Sequence, residues 1–138
     1  MEKQFVTNEI AFKLKKLEFD EPCIKMVLIG GAVGFSSKES GILQSPITNS
    51  QGGKYTITLP LWQQVIDWLD ETYDISIVVA KNSKEIMEYV KIKDPTIDVE
   101  KSLFRWHFVD QVGQGTAPTA LKAKENAILK AIESIENK

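Results

Sequence analysis

Leu103-Phe104-Arg105-Trp106-His107-Phe108-Val109 alternates large apolar and polar side chains almost without a break. Side chains of a strand point to opposite faces with a period of two. Phe104, Trp106 and Phe108 would therefore line one face, and Arg105, His107 and Val109 the other. Gly113 and Gly115 are expected to end this strand. Beyond them, Pro118 to about Glu136 is rich in Ala, Leu, Lys, Glu and Ile. Leu121, Ile128, Leu129, Ile132 and Ile135 recur on one stripe, which predicts an amphipathic helix. At a rise of ~1.5 Å per residue it would be about 30 Å long, enough to cross a small sheet. A half-buried strand followed by a sheet-crossing helix sets the fold class as α+β.

Upstream, the pattern is consistent with that class. Ile10, Leu14 and Leu17 recur at helical spacing from Asn8 onward, with Thr7 as N-cap. Cys23 to Ile29 is an apolar run between Pro22 and Gly30 and predicts a buried strand. Residues 30–54 hold six of the eight glycines and read as a long Gly/Ser-rich loop, over about 30–53, which Ile42, Leu43 and Ile47 would pin to the body. Lys54 to Leu59 alternates as a strand, and Pro60 would open a helix running to Thr72. Ile75 to Ala80 reads as another strand, and the Leu59–helix–Ile75 passage would allow a right-handed crossover between parallel strands. Met87 to Lys93 is rich in strand formers (Tyr89, Val90, Ile92), which favours a strand, with a helix opened by Asn82 or Ser83 as the alternative. The sum is one domain over residues 1–138. It is expected to hold a mainly antiparallel sheet of about four or five strands, with about three helices packed on one face.

Composition bounds the function. The chain has 138 residues, 43% hydrophobic and 26% charged, with a net charge of -2, which is ordinary for a globular protein and gives no global pull on nucleic acid. Arg105 is the sole arginine among 17 basic residues. That weighs against a dedicated phosphate or guanine reader. A single cysteine, Cys23, excludes a disulfide within the chain and a Cys-rich zinc site. No apolar run approaches the ~20 residues that cross a bilayer, and no leader follows Met1, so a cytoplasmic setting without a membrane partner is expected.

The motifs that carry chemistry are few. Gly30-Gly31-Ala32-Val33-Gly34 follows an apolar strand and invites a phosphate-loop reading. It lacks the Gly-x-Gly-x-x-Gly spacing and the Gly-Lys-Ser/Thr ending, so a turn explains it better. His107, the lone histidine, suits general acid–base work by its ordinary pKa, but an exposed strand residue is the simpler account. Cys23 beside Pro22 reads as an inert core thiol rather than a nucleophile. Trp68 and Trp106 fall on core stripes, whereas Trp62 is a candidate for the surface. The carboxylates Asp67, Asp70, Glu71 and Asp74 read as a solvated helix end.

Three stretches are familiar together. They are Glu9 to Cys23 (EIAFKLKKLEFDEPC), Leu59 to Leu69 (LPLWQQVIDWL) and Ala123 to Ile132 (AKENAILKAI). This arrangement resembles short proteins without an assigned reaction that are common in gut Bacteroides-type bacteria, their phages and mobile elements. The resemblance implies a bacterial or phage cytoplasmic setting and carries over no functional residue. The leading expectation is a non-enzymatic accessory protein that binds another protein or a second copy of itself, with no cofactor and no metal. Its candidate binding residues are Arg105, His107, Trp62, Gly30, Gly31 and Gly34. One alternative is nucleic-acid binding through Lys13, Lys15 and Lys16, Lys122 and Lys124, and the Arg105/His107 strand face. Another is a small-molecule enzyme using His107 or a carboxylate near the glycine loop.

Overall fold

A computed structural model of the chain describes residues 4–28, 42–52 and 56–138. It divides into two compact units, Met1–Val65 and Ile66–Lys138. The α+β class and the antiparallel pairing hold throughout. The strand count and sheet number differ from expectation. Instead of one sheet of four or five strands with three helices, the described residues form two three-stranded sheets and five α-helices, with a 3₁₀ turn at Val99–Ser102. Two strands escaped the sequence pattern, one within the stretch expected as a loop and one that includes Gly115, a glycine expected to end β-structure.

The first unit holds α1 (Asn8–Lys16), β1 (Cys23–Leu28), β2 (Ile42–Ile47), α2 (Asn49–Gly52) and β3 (Thr56–Thr58), in the sheet order β2-β1-β3. Thr7 caps α1, its Oγ accepting from Ile10 N at 3.2 Å, and Ile10, Ala11 and Leu14 bury the inner face. Strand β2 occupies a sheet edge, the one place where Pro46 leaves no interior ladder bond unmade. Its polar Gln44-Ser45-Pro46 core hid it, because an edge strand needs less apolar alternation than a central one. Asn49 ties the unit together from within. It is buried, its Nδ2 donates to Phe19 O at 2.8 Å, and its Oδ1 accepts from Thr58 N at 2.9 Å. Asp20 accepts from Ser50 N at 2.7 Å and from Ser50 Oγ at 2.8 Å, and these bonds hold its carboxyl below the usual range.

Helix α3 (Trp62–Tyr73) begins two residues later than Pro60 would allow, since Leu61 forms an isolated bridge with Phe5. The boundary between the units falls inside this helix. Strands β3 and β4 (Ile77–Lys81) belong to different sheets, so the expected parallel crossover between them does not form.

The second unit contains β4, α4 (Lys84–Lys93), a 3₁₀ turn at Val99–Ser102, β5 (Phe104–Phe108), β6 (Gln114–Ala117) and α5 (Ala120–Glu136). Residues 84–93 are helical despite Tyr89, Val90 and Ile92. Ser83 Oγ accepts from Ile86 N at 3.2 Å, and the surrounding Lys and Glu residues favour a helix once it is capped. Strand β6 pairs with β5 in the register Phe104↔Ala117, Trp106↔Gly115. Glycine at 115 is a packing requirement rather than a stop signal, because a Cβ there would lie 2.6 Å from Trp106 Nε1. Helix α5 crosses all three strands. Its buried stripe is Ala123, Ala127, Ala131, Ile128 and Ile132, whereas Leu121, assigned to the core by the sequence, is exposed. Alanines at i, i+4, i+8 let the helix axis approach the aromatic face closely, and the rings of Trp106 and Phe108 fill the gap at 5.4 Å between centroids.

Candidate functional site

Directly opposed residues of an antiparallel sheet share a face. The registers Val78↔His107, Ala80↔Arg105, Arg105↔Thr116 and His107↔Gln114 therefore build two rows on the outer face of β4-β5-β6, the face opposite Trp106 and Phe108. The rows read Val78–His107–Gln114 and Ala80–Arg105–Thr116. This face is only partly covered: Arg105 and His107 are half-buried, while Val78, Gln114 and Thr116 are exposed.

A cavity of about 330 Å³ lies against these rows, with Ile86 and Val90 of α4 forming part of its wall. Arg105 is held in place. Its Nη1 donates to Asn82 Oδ1 at 3.0 Å, while Asn82 Nδ2 donates to Ser102 O at 2.8 Å and Asn82 N to Leu103 O at 2.8 Å. With its amide nitrogen and backbone N–H engaged on the chain, Asn82 has its carbonyl oxygen oriented at the guanidinium. The cavity wall includes no Asp or Glu. No carboxylate lines the cavity to neutralise Arg105 there.

His107 lines this cavity and a second one of about 590 Å³, formed with Gln111, Val112 and Lys130 among others. Neither wall contains a carboxylate to orient the imidazole, so the base–orienter pair of a hydrolytic relay is missing from both. No group of three or more His, Cys, Asp or Glu among the described residues has the spacing to hold a metal ion.

The other sequence candidates lie elsewhere. Gly30, Gly31 and Gly34 fall outside the described residues. Trp62, a candidate for the surface, is 5% exposed and packs in the interior. Lys15 donates to Thr56 O, Lys16 sits 4.5 Å from the Phe12 ring centroid, and Lys122 pairs with Glu125 at 3.4 Å. Lys15 thus reaches from α1 to β3, while Lys16 and Lys122 make contacts within their own helices. Asp70 accepts from Ser76 Oγ at 2.7 Å, which fastens the end of α3.

Cys23 is buried and its thiol donates to Glu21 O at 3.4 Å. Burial pushes the thiol up to about 11 from 9.0, and the Glu21 charge adds to the rise. The thiolate fraction at pH 8 falls roughly 100-fold through ionisation alone. Labelling by iodoacetamide at that pH is expected to be at least this much slower in the native chain than in urea, and equal rates would contradict the buried thiol. Because the folded pKa is raised, the associated stability is complete below pH 9 and is lost as the pH rises towards 11.

Arg105 and His107 were legible as a pair from strand alternation. Asn82, Gln114, Thr116 and the α4 wall were not, since strand pairing and helix placement bring them in from separate segments. Comparison with family models, with curated proteins and with solved structures finds no match for this chain. Among the described residues no helix is long and apolar enough to cross a membrane.

Proposed function

We propose that the chain is a non-enzymatic accessory protein of a bacterial or phage cytoplasm that works by binding another polypeptide through the second unit. The observation that carries this reading is the apolar ridge of α4. Ile86, Tyr89 and Ile92 follow one another at i, i+3 and i+6, and are 43%, 61% and 77% exposed. Ile86 also lines the cavity over the half-open sheet, so the ridge continues onto the face that carries Val78. A soluble domain seldom leaves such apolar residues adjacent and uncovered unless a partner covers them. The charged neighbours Lys84, Glu85, Glu88, Lys91 and Lys93 supply the polar rim of such an interface.

A photo-crosslinking amino acid placed at position 89 or 92 tests this in the expressing cell. Adducts of defined mass, absent when the same group replaces Lys138, are expected, and Ile92→Glu should abolish those formed from position 89. If the adduct has twice the chain mass, the partner is a second copy. Positions 89 and 92 yielding no more adduct than position 138, in a chain that stays monomeric at every concentration, would refute the reading.

A further inference from the structure

The cavity over β5 has a more specific chemistry than the ridge beside it. Arg105 is half-buried, held by Asn82, and faces a wall without any acidic side chain. A guanidinium has five N–H donors in a planar fork, and Asn82 occupies only one of them at 3.0 Å. Partly desolvated cations are ordinarily paired, so a fixed, unpaired fork facing a cavity is an incomplete ion pair. The neighbouring polar groups complete a donor-rich set: the imidazole of His107, the carboxamide of Gln114 and the hydroxyl of Thr116. Ile86 and Val90 supply an apolar wall opposite them.

We propose that this cavity is a binding site for a carboxylate carried on a small apolar body. The planar fork matches a carboxylate in bidentate fashion. A phosphate dianion normally draws on several cations or a cradle of backbone N–H groups, and here one cation stands alone. About 330 Å³ lies at the small end of ligand sites, which admits a compact acid or the last residue of a polypeptide but not a nucleotide. The ligand carboxylate accepts from Arg105 and Thr116, and its apolar part lies against Ile86 and Val90. This proposal goes beyond the docking ridge and is tested separately from it.

Benzoate and its neutral isostere benzamide are suitable probes, titrated into the whole chain and followed by the amide and indole signals of its ¹H–¹⁵N spectrum. Benzoate is expected to shift Arg105, Trp106 and Thr116 signals saturably, with benzamide at least about tenfold weaker. Arg105→Gln should weaken benzoate about tenfold or more, and Arg105→Lys by less, because a lysine keeps the charge and loses the fork. Thr116→Val retains the cation and should weaken benzoate by a smaller factor, and it serves if Arg105→Gln does not fold. A tripeptide ending in leucine, compared as free acid and as amide, separates the two sources of a carboxylate. A free-acid peptide that binds more tightly than benzoate identifies a polypeptide terminus, and the reverse order identifies a free organic acid. Absence of saturable shifts with either acid at roughly 10 mM, parity of benzamide with benzoate, or unchanged binding in a folded Arg105→Gln variant would each overturn the proposal.

Discussion

Replacing Asn49 with alanine is expected to destabilise the chain by roughly 2–5 kcal/mol, seen as a lower urea midpoint at an unchanged slope. The size follows from what the side chain satisfies. Its Nδ2 is hydrogen bonded to Phe19 O at 2.8 Å and its Oδ1 to Thr58 N at 2.9 Å, in a residue that is 7% exposed. Alanine removes one hydrogen bond to a buried carbonyl and one to a buried N–H, each loss costing about 1–3 kcal/mol. Asn49→Asp separates this account from a simple packing loss. A carboxylate still accepts from Thr58 N but faces Phe19 O without a proton to donate, so the variant should be about as damaging as alanine near neutral pH. At acidic pH the protonated carboxyl regains a donor, and its deficit relative to the parent chain at the same pH should shrink. A loss below about 0.5 kcal/mol for Asn49→Ala would mean that water takes over both backbone groups.

Gly115→Val is expected to be comparably damaging, at about 3 kcal/mol or more. A Cβ alone at position 115 would lie 2.6 Å from Trp106 Nε1 and 2.9 Å from Cε2, and the two residues are directly paired across β5 and β6. The indole is 6% exposed beside the Phe108 ring, so it has little room to move aside. The milder Gly115→Ala should cost about 1–3 kcal/mol, and nearly all of that should vanish in a Trp106→Leu background, where the clashing atoms are gone. Trp106→Leu is itself destabilising because it empties part of the core. The informative quantity is therefore the coupling in the double-mutant cycle, expected at about 1–3 kcal/mol. Additivity of the two substitutions would show that the glycine is needed for the β6 backbone and not for the ring. The same cycle bears on the site, since Thr116 reaches the outer face only while β6 keeps its register with β5.

Both tests concern contacts between segments far apart in the chain, and they mark where sequence reading stopped. Alternation in residues 103–109 correctly placed Arg105 and His107 on one face of β5, and Trp106 and Phe108 on the other. The first and last helices were legible from periodicity, the first also from its cap at Thr7, whereas the cap of the last, Thr119 Oγ accepting from Lys122 N at 3.1 Å, came only with the structure. Within α5, Ile128 and Ile132 of the expected stripe are buried, but Leu121 is exposed and Ala123, Ala127 and Ala131 complete the buried face instead. Periodicity identifies a helix but not how closely its axis approaches a sheet. Trp62 illustrates the same limit, since flanking position on a helix wheel does not reveal that the residue is buried.

By itself, then, the sequence determined the α+β class, the antiparallel tendency, the two best-patterned helices and the facing of β5, because each depends on side-chain periodicity within one continuous segment. Tertiary structure decided the rest. Strand β2 exists through its register with β1 despite Pro46, and β6 exists because Gly115 makes space for the Trp106 ring. Helix α4 prevailed over strand-forming side chains once Ser83 capped it. The cavity of about 330 Å³ arises where β5, β6, α4 and Asn82 meet, and its fixed guanidinium depends on Asn82, which lies 23 positions from Arg105 in the chain. Local pattern encodes which face a residue takes, while the neighbour across that face is set by pairing and packing free energies summed over the folded unit.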